Sequence, residues 1–259
     1  MRVALAVEYD GALFCGWQSQ ADLCGVQDSV ENAIARIAEH TIRIYAAGRT
    51  DTGVHAMMQV IHFDTEVIRP DSAWVRGVNA FLPASVRVLW VKIVADEFHA
   101  RFSASQRSYQ YLLANKQTAP AIKAQQAGWY HLPLNVAVMQ EAIGYLQGEH
   151  DFSAFRASEC QANSPVRKLN AASIMAHGDY ILFNFSANAF LQHQVRNMVG
   201  ALIYVGNGKN QPEFVRDLLE QKDRTLSPPT FSPNGLYLVG VEYDPRFGLP
   251  CTQRALMLI

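Results

Sequence analysis

The sequence predicts an α+β protein, and three observations point that way. Short β-branched and aromatic runs alternate with stretches whose apolar residues recur every three or four positions. The first half orders them as strand, helix, two strands, helix, strand, which suits an antiparallel sheet with helices on one face. The second half carries the same mixed pattern, with no repeat between the halves and no low-complexity segment.

Val3 to Tyr9 is the first strand, ended by the turn signal Asp10-Gly11. Val26, Val30, Ala33, Ile34 and Ile37 give an amphipathic helix. Ile42 to Ala46 and Met58 to Phe63 are strand-like runs on either side of a polar loop. Asp71-Ser72 after Pro70 can cap a helix through Trp74, Val75 and Val78, and Val86 to Val94 is a further strand. The polar, basic connector from Phe98 to Arg107 marks a boundary, giving an N-terminal half of 1–105 and a C-terminal half of 106–259. Beyond it, Ser108 to Ala114 alternates as a strand that presents Tyr109 and Tyr111 on one face. Asn135 can cap a helix carrying Val138, Met139, Ala142, Ile143 and Leu146, closed by Gly148. Asp151 to Lys168 is irregular and holds Arg156, Arg167 and Lys168. Val166 to Ala176 and Tyr180 to Ser186 form a hairpin across Gly178-Asp179. Asn188 can cap a helix from Phe190 to Val205, Pro212 opens another with Phe214, Val215, Leu218 and Leu219, and Leu236 to Tyr243 is the last strand.

The 259 residues fit one large domain or two ordinary ones, and a hydrophobic content of 49% is enough for a sizeable core. Charged residues are sparse at 17% and the net charge is −1, so there is no global push toward nucleic acid, a membrane surface or an acidic partner. An RNA-binding role would require the basic residues to gather on one face. The four cysteines, Cys15, Cys24, Cys160 and Cys251, have no CxxC spacing and look like neither a zinc site nor a disulfide framework. The apolar start, Met1 to Val7, is too short for a signal-peptide core. No run approaches the ~20 apolar residues that span a bilayer. A reduced, cytoplasmic setting is the expectation.

The polar loop runs Ala46-Ala47-Gly48-Arg49-Thr50-Asp51-Thr52-Gly53-Val54-His55-Ala56. Gly48 and Gly53 allow backbone angles closed to other residues, so a cation, a hydroxyl and a carboxylate can be displayed in succession. Composition alone makes this an ordinary turn with a solvated Arg–Asp pair. A second candidate lies on the helix after Asn188, where Leu191, Val195, Met198, Val199 and Leu202 form an apolar stripe. His193, Arg196, Asn197 and Gly200 fall on another face, either a solvated one or one that aims an arginine into a cleft beside an acid. Several chemistries are excluded by spacing. Asp51-Thr52-Gly53 lacks the second carboxylate a magnesium site would need two residues on, and Asp51 and His55 have no HExxH or third ligand. Gly206-Asn207-Gly208 follows a helix and makes a poor phosphate loop, and no GxSxG occurs. Chemistry free of metal and nucleotide cofactors remains.

At Gly48-Arg49-Thr50-Asp51-x-Gly53-Val54-His55-Ala56 the chain resembles the tRNA pseudouridine synthase A (TruA) family. Further blocks extend the resemblance in order: Glu8-Tyr9-Asp10-Gly11 with Gly16-Trp17-Gln18, Phe98 to Ala104 with Tyr109-x-Tyr111, and Gly148-x-x-Asp151-Phe152 with Phe155-Arg156. Asn188-Ala189-Phe190, Val195-Arg196-Asn197-x-Val199-Gly200 and Gly235 to Leu238 complete it. The resemblance implies a pseudouridine synthase fold: two α+β halves whose sheets form a continuous platform around a basic central cleft, in a homodimer. It implies isomerisation of uridine to pseudouridine in the anticodon stem-loop of tRNA, at tRNA positions 38, 39 and 40, without cofactor or metal. Asp51 would be the nucleophile, Arg49 would help extrude the target base, Tyr109 would stack on the uracil, and Arg196 would pair with the aspartate. His99, Arg101 and Phe102 are carried over as substrate-binding residues. From Glu159 to Asn163 the chain lacks the basic residue expected of the family, which bears on RNA contacts there and not on the chemistry.

These residue types suit such a reaction. Swinging a paired uridine out of a stem costs a few kcal/mol. A planar guanidinium can fill the vacated space, and an aromatic ring stacked on the extruded base returns roughly 1–3 kcal/mol. The isomerisation breaks an N-glycosidic bond and rejoins the same base through carbon. It needs a carboxylate at the sugar, a pocket that retains free uracil and a base for the C5 proton. Asp51 could attack the sugar or act as a base toward it; Tyr109 is a candidate for the late proton removal as well as for stacking. A neighbouring Arg196 would keep Asp51 ionised. Two rivals stand beside this: a non-catalytic tRNA-binding module using the same cleft, and an unrelated hydrolase using Asp51 with a metal.

Overall fold

The computed structural model describes residues 1–256. In chain order its elements are β1 (Arg2–Tyr9), α1 (Val26–Ala38), β2 (Tyr45–Ala46), β3 (His55–Asp64), α2 (Val78–Phe81), β4 (Val86–Val94), β5 (Ala104–Asn115), β6 (Gly128–Tyr130), α3 (Val136–Gly144), β7 (Gly148–Asp151), β8 (Val166–His177), β9 (Tyr180–Ala187), α4 (Gln194–Gly206), α5 (Phe214–Gln221) and β10 (Leu236–Tyr243). The α+β class is as the sequence predicts. The described residues separate into two compact units, Met1–Ser105 with residues 237–256, and Gln106–Leu236. That division differs from the linear halves 1–105 and 106–259 at the closing strand, which joins the first unit; the second linear half also runs past the described residues. The cause is a long-range parallel pairing of β10 with β3, Tyr237 opposite His55 and Leu238 opposite Ala56. Local periodicity carries no trace of such a pairing.

In the first unit β1 lies between β3 and β4 and pairs antiparallel with both, and β3 also carries the short β2. Val3 to Val7 are fully buried on both faces, hence the unbroken apolar run. α1 turns Val26, Val30, Ala33 and Ile34 inward. Its first turn is closed by Asp28, whose carboxylate accepts the Gly25 N–H at 2.9 Å. The helix expected after Pro70 forms, but it widens into a π turn over Ala73–Gly77, and Ser72 makes no side-chain cap. Cys15 and Cys24 are joined by a disulfide, which overturns the sequence expectation for the cysteines. A separation of nine residues carries no signal by itself; the intervening loop doubles back so that the Cys15 N–H donates to the Cys24 carbonyl at 3.0 Å, with the Cα atoms 5.4 Å apart.

In the second unit β9 lies between β5 and β8, with β7 beyond β8, all antiparallel, and β6 adds parallel to β5. Tyr109 and Tyr111 face the same way, opposite Phe185 and Phe183. The β8–β9 hairpin turns at Gly178, whose φ is +55°. Asn135 caps α3 as expected, accepting the Ala137 and Val138 amides. Asn188 does not cap α4. Its side chain accepts the Lys168 and Ala189 amides, and the helix starts only at Gln194, after His193 in the left-handed region at φ +64°. Among the described residues no helix is long and apolar enough to cross a membrane.

Candidate active site

The loop between β2 and β3 is not a free turn. Thr50 points inward, its hydroxyl 2.8 Å from that of Tyr9, while its carbonyl accepts the Trp17 N–H at 3.0 Å. Gln59, fully buried on β3, donates to the Gly48 carbonyl at 2.7 Å. The Ala47 N–H donates to Val60, and the Val54 N–H donates to the Asp51 carbonyl at 3.1 Å. Each bond contributes on the order of 1 kcal/mol, and the set fixes both limbs of the loop. Of the two bracketing glycines only Gly53 is left-handed, at φ +79°; Gly48 is held by Gln59 instead. At the base of the loop His55 Nδ1 lies 3.1 Å from the Gly11 amide and 3.0 Å from an Asp10 oxygen. Its ring stacks on Tyr237 at 4.6 Å. Burial, with the Asp10 charge adding to it, raises the Tyr237 phenol, so this hydroxyl stays protonated. With Thr50 anchored inside, Arg49 and Thr52 are exposed and Asp51 is half-buried. The fold therefore presents a cation and a carboxylate from a loop whose alternate residue is pinned in the core.

His99, Arg101 and Phe102 come together in a second feature of the same unit. Phe102 is 76% exposed, with the Arg101 guanidinium 5.5 Å from its ring centre. His99 stands 4.4 Å from Phe102 and accepts both the Arg101 and Phe102 amides at Nδ1. It packs edge-on to His62, on which Tyr45 stacks at 5.1 Å. This aromatic and cationic ledge is built on the face of β3 opposite Gln59, since side chains alternate along the regular stretch from Gln59 to His62. Tyr45 and His62 are ledge residues the sequence reading missed; an aromatic at the end of a strand-like run was the one signal for Tyr45, and His62 had none.

In the second unit Tyr109 sits on β5, buried, with Phe190 edge-on at 5.1 Å. Arg196 lies in the first turn of α4 and donates from Nε to the Phe231 carbonyl at 2.9 Å. The face carrying Arg196, Asn197 and Gly200 is covered by the segment before β10. Asn197 is fully buried, donates to the Phe155 carbonyl and accepts from Arg224. A side chain at Gly200 would meet the Pro229 carbonyl at 3.0 Å. Arg224 binds the Ser227 and Pro228 carbonyls and the Thr230 hydroxyl as well, so it holds in place the stretch that orients Arg196. No motif or periodicity singles out Arg224.

Among the described residues no group of three His, Cys, Asp or Glu side chains is placed to hold a metal ion. The chemistry on offer is a carboxylate, guanidinium groups and aromatic rings. A family model described as tRNA pseudouridine synthase matches residues 5–103 and 142–244. Those spans include Arg49, Asp51, His99, Arg101, Phe102 and Arg196, and Tyr109 falls between them. A protein of Methylobacillus flagellatus named tRNA pseudouridine synthase A is 61% identical over 258 residues, covering 100% of this chain and 99% of its own. One of Thiobacillus denitrificans with the same name is 54% identical over 250 residues, 96% of each chain. The chain belongs to the tRNA pseudouridine synthase A family, and with it to the isomerases that form pseudouridine in tRNA.

Proposed function

We propose that this chain isomerises uridine to pseudouridine in the anticodon stem-loop of tRNA, at tRNA positions 38, 39 and 40, with Asp51 as the nucleophile. The observation that carries the proposal is the Asp51 loop, where a family motif coincides with a set of tethers that bury Thr50 and leave Arg49 and Asp51 turned outward. In this reading Arg49 replaces the extruded base in the stem, Tyr109 stacks on the uracil, and Arg196 keeps the Asp51 carboxylate ionised. His99, Arg101 and Phe102 bind the RNA outside the reacting nucleotide, where an exposed ring and a guanidinium suit base stacking and phosphate contact. The enzyme works as a cytoplasmic homodimer with tRNA as its substrate, and neither metal nor nucleotide cofactor takes part.

Unmodified tRNA transcripts incubated with the protein, followed by position-resolved mapping of pseudouridine, test the reading. The wild-type chain should modify positions 38 to 40 only, and Asp51→Asn should abolish product while tRNA binding survives. Product from Asp51→Asn would remove the nucleophile assignment. Modification at other positions would remove the anticodon-stem specificity, and binding without turnover by the wild type would leave a tRNA-binding module.

A further inference from the structure

We propose that Cys15 and Cys24 form a reversible thiol–disulfide site that sets how firmly the Asp51 loop is held, and so sets the rate of the reaction proposed above, on which this inference rests.

The two cysteines frame a hairpin-like loop whose ends touch the catalytic loop on one side and α1 on the other. Gly16 and Trp17 follow Cys15 directly. The Trp17 N–H is the donor to the Thr50 carbonyl, at 3.0 Å. Gly16, left-handed at φ +99°, packs against the next two peptides; a Cβ there would stand 2.8 Å from the Thr50 carbonyl oxygen and 3.1 Å from the Thr52 nitrogen. The Trp17 ring lies 5.6 Å from Tyr9, whose hydroxyl bonds that of Thr50. Both routes end on the residue before Asp51. From the other cysteine, Gly25 begins α1, and the Val26 and Gln27 amides donate to the Gly16 and Trp17 carbonyls at 3.1 and 2.9 Å. Without the sulfur bridge the loop is closed by the Cys15–Cys24 backbone hydrogen bond and its neighbours, which open and close far more readily than a covalent bond.

The site is open to exchange. Cys15 and Cys24 are half-buried, and between them Gln18, Gln20, Ala21, Asp22 and Leu23 are exposed, Leu23 at 65%. Oxidation proceeds by thiolate attack on a low-molecular-weight disulfide such as glutathione disulfide. One cysteine forms a mixed disulfide and expels one small thiol; the other cysteine then attacks the mixed disulfide and expels the second. The protein loses two electrons and two protons, and the small disulfide gains them as two thiols. A small dithiol reverses the step. Cys160 is a buried free thiol and serves as the internal reference, whereas Cys251, a free thiol that is exposed, stops at the mixed disulfide.

The test compares full-length protein poised with glutathione disulfide or with dithiothreitol, then freed of reagent. Peptide mass mapping after denaturing alkylation should find Cys15 and Cys24 joined to each other and unlabelled in the first sample, and both labelled in the second. Single-turnover rates on a tRNA transcript should be roughly threefold to tenfold higher in the oxidised form, well short of the ~100-fold that an ångström of misplacement costs. Hydrogen exchange at residues 48–54 should be slower in the oxidised form. Cys15→Ser and Cys24→Ser should each match the reduced protein and ignore the oxidant, and Cys251→Ser should behave as wild type; thermal midpoints show whether each variant is folded. Labelled Cys15 and Cys24 after both treatments, or equal rates with equal exchange in the two states, would overturn the proposal. A protein inactive in every state would count against the enzymatic reading, and the peptide map with the exchange rates would still decide this one.

Discussion

His62 sits on β3 with 1% of its surface exposed, and its Nδ1 accepts the Ala100 amide at 3.1 Å. Burial, then the neighbouring His99, then Arg2, lower its pKa from 6.5 to about 4, and His99 is lowered as well, chiefly by burial. The unfolded chain therefore binds a proton that the folded chain refuses. Stability from this group is complete above about 6.5 and is lost as the pH falls from there through about 4. Urea unfolding midpoints should drop over that window, and His62→Phe should flatten the drop. An unchanged pH profile in the variant would show that the ledge does not exclude the proton. The same scale shows what a sequence can and cannot disclose. Arg49 and Asp51 stand in a motif and can be read directly. Gln59 and Thr50, which fix the loop, look like any polar residues of a strand and a turn, because their meaning lies in partners at Gly48 and Tyr9.

At the scale of elements, periodicity located the strands and helices because it reports which side chains are buried. It placed β4 at Val86–Val94 and brought out the inward stripe of α1. It failed where capping is decided by a backbone angle: His193 turns left-handed and delays α4 by four residues against a start at Phe190, and no propensity of histidine announces that. The polar face of α4 posed a choice between solvent and a cleft, and the segment from Arg224 to Phe231 covers it. Arg224 ties Asn197, Thr230 and two backbone carbonyls together, and Arg196 rests its Nε on the end of that stretch. Arg224→Ala should lower stability by about 1.5–3 kcal/mol, the range for hydrogen bonds to a charged group. It should also lower kcat with little change in KM, since Arg196 is left without its fixed support while the residues proposed to bind RNA stay intact. Arg224→Lys keeps the charge and loses the fork, so it should recover less than half of the lost activity. A variant with reduced stability and wild-type kcat would confine Arg224 to a packing role.

At the scale of the whole molecule, the chain returns at its end to the unit with which it began. β10 places Tyr237 against His55, Tyr243 donates its hydroxyl to the Ala100 carbonyl, and Phe247 packs on Phe98. Further along, Trp90 donates to the Cys251 carbonyl and the Arg254 N–H donates to Val239. Residues 1–105 alone are thus an incomplete sheet: the edge of β3 that takes β10 would be exposed, along with the aromatic groups that β10 and its extension cover. A chain stopped after Leu236 should lose hydrogen-exchange protection at the start of β3, around His55 and Ala56, and should form no pseudouridine, because His55 anchors the base of the Asp51 loop. Supplying residues 237–256 as a separate peptide should restore part of the protection, since the contacts are side-by-side pairings that need no covalent link. Full protection there in the shortened chain would mean that the first unit is complete without its returning strand, and that the parallel pairing of Tyr237 with His55 adds nothing to the hold on the Asp51 loop.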